Sequence, residues 1–333
     1  MTPCRRKPNP KTKSAPFRDF FAVLALLTLA QAPAAAAAPP MVVASIAPVH
    51  SLVAQVMAGV GEPRLLVGGG LSPHAYALKP SDARALVVAR LTFWIGPALE
   101  RFLERPLAAL AGDVRVVRLS AAPGLQVLTA RKAGPWAEAE DGHGAGDAAH
   151  GDHGDHDGID PHLWLDPVNA ARIVEAAVTA LATADPGNAA HYKMNGEKTV
   201  TALGALESEI RDTLAPVAAV PYLVFHDAYQ YFEKRFDLAA AGAIGVGANR
   251  PPGARRIADL RRHIVDKDLR CVFVEPQFRP VLAETLTKDT PARIGVLDPL
   301  GADLTPGPGL YAELMRGLAR SLRDCLQAPP RRG

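Results

Sequence analysis

The chain has 333 residues, 37 Lys and Arg against 34 Asp and Glu, and a formal charge of +3. The excess of basic groups belongs to one end: residues 1–38 carry six basic residues and one acid, so the rest of the chain has a charge of −2. That balance excludes a nucleic-acid surface as an organising feature, and about 295 residues exceed what one hydrophobic core fills, which favours two domains.

Segment 1–38 reads as a signal peptide. Arg5, Arg6, Lys7, Lys11, Lys13 and Arg18 form a positive region, FFAVLALLTLA (20–30) is apolar, and APAAAAAPP offers small-residue cleavage sites. Eleven apolar residues are too few to span a bilayer as a helix, and no cysteine follows them to carry a lipid. The expectation is a protein exported by general secretion with no stable membrane anchor.

Beyond the leader, short β-branched runs alternate with helical patterns, the arrangement of parallel sheets with crossover helices. Strands are expected at 41–46, 64–68, 91–96 and 114–119, with helices over 49–58, 81–89 and 97–109. A low-complexity segment follows at 137–158, built of Ala, Gly, Asp, Glu and His. With nothing larger than His to bury, it is expected to be disordered without metal. It holds His143, His150, His153 and His156 among five aspartates. Ordering it around a metal would cost roughly 1–2 kcal/mol per residue fixed. It therefore reads either as an auxiliary, weak metal site or as a solvated insertion.

Asp185 and Pro186 open a long helical pattern, with Asp as cap and Pro in the first turn. Leu203, Leu206, Ile210 and Leu214 recur at spacings of three and four and mark one buried stripe. A helix over 185–215 would be about 45 Å long, a strut between an N-terminal lobe (39–184) and a C-terminal lobe (216–333). In the latter, strands are expected at 222–226, 240–245, 271–276 and 293–299. The fold class is α/β: two βα lobes with parallel sheets, joined by one long rigid helix. Cys4 leaves with the leader, so Cys271 and Cys325 remain as a pair in an oxidising compartment. They form either a disulfide, stapling the last helix to a strand, or two separate buried thiols.

Three histidines fall where a βα sheet presents its strand ends, the usual place for ligands. His74 follows GGGLSP, His162 lies in IDPHLWLDP, and His226 ends PYLVFH; Asp298, in VLDPL, ends the last expected strand. Three imidazoles and a carboxylate make a tetrahedral set for a borderline metal such as Zn²⁺. His191 and His263 read as solvated helix residues, and His50 as part of a helix start. There is no HExxH, GxSxG, P-loop or paired CxxC. A secreted His₃ zinc hydrolase stays open as an alternative, with Glu275 or Asp227 as its base.

SPHAYALKPSD, HLWLDP, VFHDAYQYFEKRF, NRPPGARRI, CVFVEPQF and GVLDPLG occur in this order around the His-rich loop. Together they resemble the periplasmic zinc-binding component of high-affinity zinc ABC importers, over about residues 41–326. The resemblance implies a non-enzymatic periplasmic receptor that binds Zn²⁺ between its lobes and hands it to an inner-membrane ABC permease with its ATPase, as a monomer. It implies that His74, His162 and His226 are the zinc imidazoles and that Cys271 and Cys325 form a C-lobe disulfide. Some relatives have Glu immediately before the first of these histidines, where this chain has Pro73. The fourth ligand therefore stays open between Asp298, water and a loop histidine. A manganese or iron receptor of the same fold is the nearest alternative, but manganese carriers tend to have Glu at the place of His226, and imidazole favours zinc.

Overall fold

The computed structural model describes residues 1, 39–110, 115–131, 136, 158–244, 253–277 and 281–329. Most of the expected signal peptide, and His143, His150, His153 and His156, lie outside the described residues.

Every strand expected from the sequence forms. The first sheet contains β1 (Val42–Ile46), β2 (Arg64–Val67), β3 (Leu91–Trp94) and β4 (Arg115–Arg118), connected through α1 (Ala47–Val56), α2 (Pro80–Val88) and α3 (Arg101–Ala108). β1 and β3 are apolar throughout apart from Ser45 and Thr92, and every residue in them is buried, as befits central strands covered on both faces. Two helices follow, α4 (Pro167–Ala184) and α5 (Ala189–Leu214). The second sheet contains β5 (Tyr222–Val224), β6 (Ala240–Ala243), β7 (Cys271–Val274) and β8 (Arg293–Val296), with α6 (Gln230–Phe236), α7 (Ala254–Asp266) and α8 (Val281–Thr287) between them and α9 (Leu310–Gln327) last. The strand orders are β2-β1-β3-β4 and β6-β5-β7-β8, all parallel, so the two sheets share one topology.

Several strands end one to three residues before their β-branched runs do. Phe225, His226 and Glu275 have left the ladder, and of these His226 and Glu275 line a cavity beyond the strand ends. The helix expected over 185–215 is α-helical over 26 residues, about 39 Å, with 3-10 turns at Pro186–Asn188 and Ala215–Val217. The expected Asp185 cap is absent: the helix starts after Asn188 with no side-chain cap, and Asp185 instead accepts from the side chains Asn188 Nδ2 at 2.8 Å and Tyr192 Oη at 2.7 Å. Leu203, Leu206, Ile210 and Leu214 are all buried. Gly196 lets α4 approach, since a Cβ there would lie 2.4 Å from Val178 Cγ2.

The apolar core runs without interruption from the first sheet through Trp164 and Tyr311 to Phe273 of the second. α9 is the element that closes it. Cys325 on α9 is bonded to Cys271 at the start of β7, the staple expected from the cysteine pair. The same helix also packs on α1 and α5. Ser51 Oγ donates to Pro308 O and accepts from the Tyr311 amide, both at 3.0 Å, and Tyr311 Oη donates to Trp164 O at 2.8 Å. Among the described residues no helix is long and apolar enough to cross a membrane.

Candidate metal centre

His74 sits on the loop between β2 and α2. Gly68, Gly69 and Gly70 allow that loop to press against the turn after β8: a Cβ on Gly69 would lie 2.1 Å from Ala302 O, and Gly70 has φ +75°. On the other side Tyr76 Oη donates to Asp82 Oδ2 at 2.7 Å, tying the loop to the first turn of α2. The histidine is thus held between a glycine contact and a tyrosine anchor, with no hydrogen-bonded carboxylate of its own among the described residues.

The other two histidines are seated differently. His162 begins the 3-10 turn Leu163–Leu165, ahead of α4. Asp160 Oδ1 accepts from both the His162 amide (3.0 Å) and its Nδ1 (2.8 Å). Trp164 is fully buried and donates from Nε1 to Pro299 O at 2.8 Å, fixing this turn to the second lobe. His226 follows β5, and its Nδ1 lies 3.2 Å from Oε1 of Glu275, which is 2% exposed. In both cases a carboxylate faces Nδ1, the arrangement that orients an imidazole to offer Nε2 to a metal.

The three rings converge. Their centroids are 5.5 Å (His74 to His162), 5.5 Å (His74 to His226) and 4.9 Å (His162 to His226) apart. One nitrogen from each lies within 4.8 Å of the others, and Nε2 of His74 is 3.4 Å from Nε2 of His162. The cavity between them is small, about 20 Å³, and is walled also by Pro73, Leu99 and Leu300.

Electrostatics divide the three. His74 is exposed as a residue, but its ring is desolvated by the walls, and the neighbouring His162 and His226 add repulsion; its pKa falls well below 6.5. Burial, and then His226, likewise push His162 well below 6.5. For His226 burial acts in the same direction but is outweighed by Glu275, Asp227 and Asp160, so its pKa is raised. Asp160 is itself pushed up to about 7, chiefly by burial.

Asp298 does not join the cluster. Its carboxylate accepts from the backbone N–H groups of Leu300 (2.9 Å), Gly301 (2.9 Å) and Ala302, so it closes the turn after β8 as an Asx-type side chain does. His191 is exposed in α5, His263 binds Ala241 O and His50 binds Pro63 O, so none approaches the centre. Neither Asp160 nor the place of Glu275 behind His226 was among the expectations from sequence. The spacing Asp-x-His was the available signal for Asp160; Glu275 lies 49 positions from His226, and only the pairing of β5 with β7 brings them together.

A profile of the family described as zinc-uptake complex component A, periplasmic (ZnuA), matches residues 42–325. The chain belongs to this family. It is 45% identical over 309 residues to the high-affinity zinc uptake system protein ZnuA of Brucella abortus, covering 86% of this chain and 91% of that protein. A crystal structure of ZnuA superposes with a TM-score of 0.71 at 23% identity, covering 87% of this chain and all of the other. A ZnuA deletion mutant with zinc bound gives the same TM-score at 24% identity, covering 88% and 100%. At these identities the structural likenesses establish the fold, and the ZnuA fold is the one described above.

Proposed function

We propose that the protein is a periplasmic high-affinity zinc receptor that captures Zn²⁺ through His74, His162 and His226 and delivers it to an ABC permease with its ATPase. The observation that carries the reading is the convergence of three imidazole nitrogens. The 3.4 Å between Nε2 of His74 and His162 equals the edge of a tetrahedron with metal–nitrogen arms of about 2.0–2.1 Å. Imidazole is softer than carboxylate, which favours zinc over manganese. Membership of the zinc-uptake family and the names of the relatives support the same cargo and compartment.

Zinc is cargo here, held and released unchanged; the protein is a solute-binding receptor and not an enzyme. A hydrolase would need a base at the metal, and both carboxylates considered for it are engaged, Glu275 with His226 and Asp227 with Arg131. Water is the fourth ligand in this reading, since the carboxylate of Asp298 is occupied by amide donors and the cavity has room for one water. The leader 1–38 is removed on export, the lobes 39–184 and 216–333 flank the strut 185–215, and the mature receptor is a monomer.

The test is zinc content and calorimetry of the mature protein, purified without a metal-affinity step. One tight equivalent is expected, with His74→Ala, His162→Ala and His226→Ala each weakening it by at least about tenfold. Unchanged affinity in any one of them removes that residue from the site.

A further inference from the structure

His162 and His226 belong to separate chain segments, the 3-10 turn ahead of α4 and the bend after β5. One short helix touches both. α6 starts four residues after His226, and the chain between is tightly held: Ala228 N donates to His226 O at 2.9 Å. Tyr229 Oη donates to Leu297 O at 3.0 Å and ties the start of the helix to the end of β8.

α6 also packs on the turn Leu163–Leu165, and two of its polar residues, Tyr231 and Arg235, lie one helical turn apart on the same face. Tyr231 Oη donates to Asp160 O at 2.9 Å and accepts from Leu128 N at 3.0 Å. Asp160 is the residue whose carboxylate accepts from His162, so this hydroxyl fixes the backbone on the entry side of the turn. Arg235 works on the exit side. Its Nε and Nη2 donate to Asp166 Oδ1 and Oδ2 at 2.8 and 2.7 Å, a bidentate pair, and Asp166 Oδ1 in turn caps α4 by accepting from Val168 N at 2.8 Å. Tyr231 is 2% exposed and the Asp166 side chain 5%, so both contacts are shielded from water.

We propose that α6 is a clamp that sets the spacing of His162 and His226, with Tyr231 and Arg235 as positioning residues for the metal. The proposal rests on the zinc-receptor reading above. Neither residue lines the cavity; they hold both flanks of the His162 turn against the helix that His226 leads into. These two rings are the closest of the three pairs, with centroids 4.9 Å apart. An ion with short, fixed bond lengths gains most from ligands whose separation is set before it arrives.

The experiment measures zinc affinity by calorimetry, the visible spectrum of the Co²⁺-loaded protein and the melting temperature of the metal-free protein. It compares the mature wild type with Tyr231→Phe, Arg235→Lys and a control, Tyr192→Phe. Tyr231→Phe keeps the ring and removes only the hydroxyl; zinc affinity should fall about tenfold, and the Co²⁺ bands should shift as the ligand geometry relaxes. Arg235→Lys keeps the charge but not the fork. It should move both readouts the same way, affinity by about threefold or more, and it carries the test if Tyr231→Phe does not fold. Tyr192 is also a buried tyrosine, donating to Asp185 Oδ2 at 2.7 Å, but it stands on α5, which lends no residue to the cavity. Tyr192→Phe should lower the melting temperature while leaving zinc affinity within about twofold.

A folded Tyr231→Phe or Arg235→Lys protein in which either zinc affinity or the cobalt spectrum stays at the wild-type value overturns the proposal. So does a Tyr192→Phe protein that loses as much zinc affinity as Tyr231→Phe at a similar melting temperature, because the effect would then be one of stability alone. A wild type that binds no zinc fails the receptor reading instead, a result distinct from either.

Discussion

His74 and the pair His162–His226 meet at one point but are held by different means. The pair is rooted in structure: each imidazole has a carboxylate on Nδ1, and His162 is followed by the fully buried Trp164. His74 rides on a glycine-rich loop, exposed, with a neighbouring tyrosine contact in place of a carboxylate. Ring orientation fixed beforehand lowers the cost of binding, so the pair forms the floor of the site and His74 its adaptable rim.

Substitutions in the floor should do the most damage. His162→Ala and His226→Ala should each weaken zinc on the order of a hundredfold or more, because each removes a preoriented ligand and leaves a buried acid without its partner. His74→Ala should cost less, about tenfold or a little more, and calorimetry showing His74 to be the costliest of the three would reverse the roles of floor and rim. Next, Asp160→Asn and Glu275→Gln should weaken zinc by about 10–100-fold through loss of ring orientation, while Tyr76→Phe, at the rim, should change it by less than about threefold.

The pH dependence follows from the same division. His74 and His162 lie below 6.5 and are neutral at pH 7, whereas His226 is raised. A raised pKa makes His226 the last to lose its proton as pH rises, so zinc affinity should fall as pH drops through that value, by up to about tenfold per unit. Glu275→Gln removes the leading cause of the raised value and should shift the onset to lower pH, which titrations at several pH values would detect. The smallest effect is expected from deleting 138–157. One tight zinc should remain, with only weak additional binding lost; loss of tight binding would make a loop histidine the fourth ligand.

Much of this was legible in the residues themselves. The strands were visible because central parallel strands are apolar and β-branched without alternation, and the helix 185–215 because its buried stripe keeps a 3.6 period. The three histidines stood out because parallel sheets gather their functional groups at strand ends. The supporting acids were not legible in the same way. Arg131 and Asp227 are 96 positions apart, and a carboxylate in a sequence does not announce whether it will face a metal, an imidazole, a guanidinium or a row of amides. Asp298 is the clearest instance: its position at a strand end fits a ligand and a turn-closing residue equally, and its carboxylate accepts from the amides of Leu300, Gly301 and Ala302.

The continuous core under α9 has a kinetic consequence. With Tyr311 and Ser51 bonded across the lobes and Cys325 fastened to the second sheet, the large opening and closing that sets the pace of hinged receptors, on microseconds to milliseconds, is not available. Ion entry and exit through the proposed site would then be left to local motion, which for loops runs on nanoseconds to microseconds, and the segment 68–79 around His74 is the loop that would have to move.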